Sequence, residues 1–177
     1  LPVSQFYHVT YDMKEPYNVY GGLQDNQSWY APSQSAGGIE NSDWKNLGGG
    51  DGFWVQVDGM NPDVVYYESQ GGEIVHTNLK QGKAFGIKPQ QALNDEKLRF
   101  NWNTPIVIGQ KNKRNLYISS QYLFKSVDEG KNWIKISPDL TTNNKEKQKQ
   151  EESGGLSADN TSAENHCTIF TIAESPL

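Results

Sequence analysis

Ser126-Val127-Asp128-Glu129-Gly130-Lys131-Asn132-Trp133, preceded by the apolar run Tyr122-Leu123-Phe124, decides how the chain is read. The run predicts a strand, and the eight residues predict a tight turn leading into the next one. Asp128 can accept N–H bonds from the residues that follow it, and Gly130 can supply the positive φ of such a turn. Ser126 can close the arrangement with its hydroxyl, and Trp133 can fold back over the hairpin. These groups are engaged by their own backbone, so the stretch reads as structural rather than chemical.

Working outward, the chain repeats itself. Val9-Thr10-Tyr11-Asp12 through Pro16 to Val19-Tyr20 recurs as Val55-Gln56-Val57-Asp58 through Pro62 to Val65-Tyr66, and again as Ile106-Val107-Ile108-Gly109 through Lys113 to Leu116-Tyr117. Each copy predicts strand, polar turn, strand. A second strand pair follows each one: 28–31 with 44–47, 74–77 with 84–87, and 122–125 with 133–137. The second unit carries a decayed form of the 126–133 turn, with Asn78, Gly82 and Phe85 in register and Lys80 where the Asp would stand. Units of about 50 residues, each four short strands and a turn motif, are the signature of propeller blades.

The expectation is therefore an all-β chain, a β-propeller segment of three four-stranded antiparallel blades plus the first strand of a fourth. Blade one spans 1–47, blade two 48–100 and blade three 101–140. A polar loop insertion over 141–167 has no core face, and 168–177 opens the next blade. A propeller closes with roughly four to eight blades, so the others are expected from a longer protein or from another chain.

Composition agrees. Only 34% of residues are hydrophobic, while 17 Gly, 9 Tyr and 5 Trp favour short strands and tight turns over packed helices. A net charge of −5 without a basic stripe argues against a nucleic-acid partner. The apolar runs are too short to insert in a membrane. One cysteine, Cys167, precludes an internal disulfide or a Cys-based zinc cluster, no loop has calcium-binding spacing, and no metal or other cofactor is expected.

The spacing of Ser126, Asp128, Gly130 and Trp133 resembles the Asp box of sialidase-type and sortilin-type β-propellers. Three further stretches are similar to bacterial BNR-repeat, glycosyl-hydrolase-like proteins of the sortilin-like type: residues 5–9 with Pro16-Tyr17-Asn18-Val19-Tyr20-Gly21-Gly22-Leu23-Gln24-Asp25-Asn26, then Gly48-Gly49-Gly50-Asp51-Gly52-Phe53, then Thr171-Ile172-Ala173-Glu174-Ser175-Pro176. The resemblance implies one blade per box, a structural role for the box, and an extracytoplasmic location, whether periplasmic, cell-surface or secreted. It does not bring a catalytic set with it. Sialidases of this architecture use an arginine triad, and the chain has only Arg99 and Arg114, neither in a fitting motif. Xyloglucanase-type propellers carry an Asp where this chain has Ser69-Gln70-Gly71-Gly72, and an amide is neither acid nor base.

Blade geometry places the loop entering the first strand and the loop joining the second and third strands on one face. That face collects Gln5, Tyr7, Gln24, Asn26, Gln70, Asn101, Trp102, Asn103 and His166 as candidate ligand-binding residues, with Glu164 beside His166. Asp25 and Asp51 are the candidate acid and base. Amides, carboxylates and rings suit sugar hydroxyls or a peptide backbone. Turn-holding is the alternative for Gln24, Asp25, Asn26 and Asp51, and packing for Trp54 and Trp102. The leading reading is a protein- or glycan-binding module; the alternatives are a glycoside hydrolase and a structural scaffold subunit of a larger assembly.

Overall fold

The computed structural model describes residues 4–152, 163 and 165–177. Among the described residues twelve strands form three four-stranded antiparallel sheets, each a meander whose strands neighbour one another in chain order. Sheet one contains β1 (Phe6–Tyr11), β2 (Asn18–Leu23), β3 (Ser28–Pro32) and β4 (Lys45–Gly48). Sheet two contains β5 (Val55–Val57), β6 (Val64–Ser69), β7 (Glu73–Asn78) and β8 (Lys83–Gly86). Sheet three contains β9 (Ile106–Ile108), β10 (Leu116–Ser119), β11 (Leu123–Ser126) and β12 (Ile134–Lys135). The fold is all-β, and each repeat read from the sequence is one sheet.

Burial is deepest in the second strand of each sheet and falls away at the fourth. β6 is buried from Val64 through Glu68, whereas every residue of β8 and β12 is exposed. The apolar run Val64-Val65-Tyr66-Tyr67 is thus covered on both faces, and the polar fourth strands are edges in contact with water.

Contacts divide the chain into two compact units, one of Leu1–Ser69 with Glu73–Ile87, the other of Gln70–Gly72 with Lys88–Leu177. The first unit holds sheets one and two. Tyr20, Val55, Val65 and Tyr67 form its buried cluster, flanked by Tyr30, Leu47, Val57, Val75 and Leu79. A Cβ added at Gly22 would lie 2.3 Å from the backbone of Gly52 and Phe53, so only glycine lets β2 approach the segment that enters sheet two.

In the second unit Ile106, Leu116, Ile118 and Phe124 are the buried apolar side chains of sheet three. Truncating fully buried Ile118 to Ala should cost about 2–5 kcal/mol. Buried Arg99 ties three segments together, donating to Glu96 (2.8 Å), Asp139 (2.8 Å) and the Cys167 carbonyl (3.2 Å). Gln121 lies beneath it, accepting from the Arg99 amide (2.8 Å) and donating to the Lys97 carbonyl (3.0 Å).

In the 126–133 turn Ser126, Asp128 and Gly130 make the contacts expected of them. Asp128 Oδ1 accepts the Asn132 amide (2.9 Å) and the Ser126 hydroxyl (2.7 Å), Ser126 Oγ accepts the Gly130 amide (2.9 Å), and Gly130 sits at φ 83°. Among its described residues the polar insertion contains two single 3-10 turns, Glu146–Gln148 and Gln150–Glu152, and buries no residue in either. Residues 168–177, expected as the opening strand of a further blade, pair with no strand among the described residues. Just past β10 Ile169 instead donates its backbone amide to the Ser120 carbonyl (2.9 Å).

Candidate functional site

In the first unit the structure brings six of the expected residues together. The turn between β2 and β3 closes through Leu23 N–H to the Gln27 carbonyl (2.9 Å), with Asp25 and Gln27 in the left-handed region at φ 58° and 68°. The segment entering sheet two runs alongside, with Gln27 N–H on the Gly50 carbonyl (3.1 Å) and Gly52 N–H on the Leu23 carbonyl (3.0 Å). Asp51 is delivered beneath the turn, only 6% exposed, and its Oδ1 accepts the Asp25 amide (2.6 Å) and Gln24 Nε2 (3.4 Å). Gln24 is held from the other side: its amide donates to the Gln5 carbonyl (2.9 Å), and its side-chain oxygen accepts the Tyr7 hydroxyl.

Asp25 is exposed and its carboxylate accepts Gln24 Nε2 (3.0 Å), while Asn26 Nδ2 donates back to the Gln24 carbonyl (3.0 Å). The two candidate carboxylates are thus neighbours, but Asp51 binds the very amide of Asp25. A carboxylate engaged in holding a turn is poorly placed to take a proton from water or give one to a leaving group.

The remaining candidates belong to the second unit. Gln70 opens the 3-10 turn Gln70–Gly72, and Gly71 N–H donates to the Trp102 carbonyl (3.1 Å). Asn101 accepts the Asn103 amide (3.0 Å) and donates to Thr168 Oγ1 (2.9 Å). His166 is exposed one residue before Cys167, whose carbonyl Arg99 holds. Asn101 thus holds both Asn103 and Thr168, while the Trp102 carbonyl holds the turn that Gln70 opens. Glu164 lies outside the described residues.

A cleft of about 590 Å³ opens on sheet one beside the first cluster, lined by Phe6, Leu23, Asn26, Trp29, Asn41 and Trp44 among others. Phe6 is 43% exposed and its ring covers Gly21, where an added Cβ would stand 2.6 Å from it. Trp29, opposite Gly21 on β3, is fixed by its indole N–H on the Asn26 carbonyl (2.6 Å). Trp44 follows the 3-10 turn Asn41–Asp43 and donates its amide to the Asn41 carbonyl (3.3 Å), while Asp43 closes that turn by accepting the Glu40 amide (2.8 Å).

Two half-buried indoles, a phenyl ring and the amides of Asn26 and Asn41 therefore face one space. Of these only Asn26 was expected at a site. The available signal was a pair of tryptophans bracketing the long β3–β4 connection, with Gly21 instead of a large side chain opposite Trp29.

The described residues contain no group of three or more His, Cys, Asp or Glu able to hold a metal ion, and no helix long and apolar enough to cross a membrane. No protein-family model matches the sequence, and no curated protein matches it.

Proposed function

We propose that this chain is part of an extracytoplasmic Asp-box β-propeller and that it binds a glycan through the aromatic cleft of sheet one, without hydrolysing it. The observation that carries this reading is the cleft: Trp29, Trp44 and Phe6 offer ring faces to the apolar face of a pyranose, and Asn26 and Asn41 offer amides to its hydroxyls. Three successive four-stranded meanders with a capped turn at 126–133 support the propeller architecture. The engagement of Asp51 with the Asp25 amide favours binding over hydrolysis.

The test is titration with soluble oligosaccharides (cello-, xylogluco- and sialylated), read by tryptophan fluorescence, with chromatography of the products. Saturable binding of at least one of them with the sugar recovered intact is expected. Binding of none would overturn the reading, and turnover abolished by Asp25→Asn or Asp51→Asn would replace it with a hydrolase.

A further inference from the structure

Sheets one and two close their first hairpins with the same device. Asp12, just after β1, accepts the Lys14 amide (3.2 Å), the Asn18 amide (2.8 Å) and the Tyr20 hydroxyl (2.8 Å). Asp58, just after β5, accepts the Met60 amide (2.7 Å), the Asn61 amide (2.9 Å) and the Tyr66 hydroxyl (3.2 Å). In each hairpin the Asp amide also donates to a carbonyl across the turn, that of Asn18 (3.1 Å) or Val64 (2.9 Å). A carboxylate, a tyrosine and two turn amides make one unit.

The third hairpin keeps the tyrosine and the bond across the turn but not the carboxylate. Gly109 N–H donates to the Asn115 carbonyl (2.8 Å) and Tyr117 stands where Tyr20 and Tyr66 stand, but Gly109 has no side chain. Glu174 supplies it from far along the chain. Its Oε1 accepts the Tyr117 hydroxyl (2.9 Å), and its Oε2 accepts the Gln110 amide and, more weakly, the Lys111 amide (3.4 Å). An added Cβ at Gly109 would lie 2.5 Å from the Asn112 carbonyl oxygen and 3.3 Å from that same Glu174 oxygen, so a side chain here would collide with the turn's own backbone and also crowd the incoming carboxylate. Three donors already converge there, and a carboxylate is the group that satisfies them together.

We propose that the first hairpin of sheet three is a receptor site for an extended peptide bearing a glutamate, and that residues 168–177 are the occupant it holds here in cis. The backbone of that segment is seated upstream of Glu174 as an extended ligand requires. Thr168 Oγ1 accepts Asn101 Nδ2 (2.9 Å), Ile169 N–H donates to the Ser120 carbonyl (2.9 Å), and the Ile169 carbonyl accepts the Ser119 hydroxyl (3.4 Å). Main-chain bonds position the segment, and the glutamate selects it.

The experiment pairs the whole chain carrying Glu174→Gln with a fluorescent synthetic peptide of residues 168–177. Hydrogen exchange at the amides of 110, 111 and 169–174 should accelerate by about tenfold or more, the change expected for one charge-assisted contact. The peptide should bind the Glu174→Gln chain saturably, bind about tenfold more weakly when its own Glu is Gln, and fail to compete with the tethered segment in the unsubstituted chain. Tyr117→Phe, which keeps the ring, should move exchange in the same direction by a smaller factor. Exchange unchanged in both variants, or a peptide that binds no better than its Gln counterpart, would overturn the proposal.

Discussion

Two neighbouring regions of sheet one divide the properties expected of a single site. The turn cluster of Gln24, Asp25, Asn26 and Asp51 has the residue types of a catalytic or sugar-binding centre, yet its groups bind one another: Asp51 takes the Asp25 amide, and Gln24 takes the Tyr7 hydroxyl. The cleft beside it is formed by Phe6, Trp29 and Trp44, residue types that ordinarily read as packing, and it is open. In a turn-rich β chain, polar residues near a loop face are first of all the loop's own hydrogen-bond partners. Capacity for a ligand lies where rings stay partly exposed.

That contrast can be broken most directly at the tryptophans. Trp44→Ala should weaken glycan binding by at least about tenfold, the loss expected for an aromatic anchor, with unfolding by denaturant little changed. The next largest effect belongs to the turn cluster and is one of stability. Asp51→Ala strips the Asp25 amide of its acceptor and should cost about 1–3 kcal/mol in chemical denaturation. Binding by the folded fraction should stay within about twofold. Gly130→Ala, which forces a Cβ into φ 83°, should cost about 1 kcal/mol and leave binding alone.

A smaller effect follows from protonation. Hydrogen bonds from the Asn132 side chain and amide, then from Ser126, lower the Asp128 carboxyl to about 2. Its folded-state value lies below the ordinary one of about 3.9, so its stabilisation is complete above about pH 4 and is lost as pH falls toward about 2. An NMR titration of the Asp128 carboxyl carbon would show a midpoint near the ordinary value if the turn were open. Asp25→Asn should do least, since its exposed carboxylate accepts only Gln24 Nε2 among the bonds seen here, and binding isotherms of the two proteins should superimpose.

The sheets were legible because the repeat shows each strand three times, and even the decayed turn kept its mechanics. Gly82 adopts φ 63° and donates to the Asn78 carbonyl (2.9 Å), Asn78 Oδ1 accepts the Gln81 amide (2.9 Å), and Phe85 stacks on His76 at 4.6 Å, all with Lys80 in the place of the Asp. Convergence of Gln5, Tyr7 and Asp51 on the 24–27 turn also followed from strand alternation.

The cleft did not. The register shift between Phe6 and His8 carries Phe6 to the Gly21 side of the sheet, and a one-residue slip is invisible in an alternating pattern. Glu174 was hidden for a different reason. Its partners Tyr117 and Gln110 lie far away in sequence, and the local copy of the motif has only a glycine where the carboxylate is needed.

The most direct test is an NMR titration of the labelled protein with the oligosaccharide that binds best, following the indole N–H signals of Trp29 and Trp44 against the backbone amides of 24–27 and 51. The predicted result is saturable shifts of both indoles, with the turn amides of Asp25 and Asp51 nearly unmoved and the sugar intact throughout. Shifts centred on Asp25 and Asp51, with both indoles silent, would contradict it.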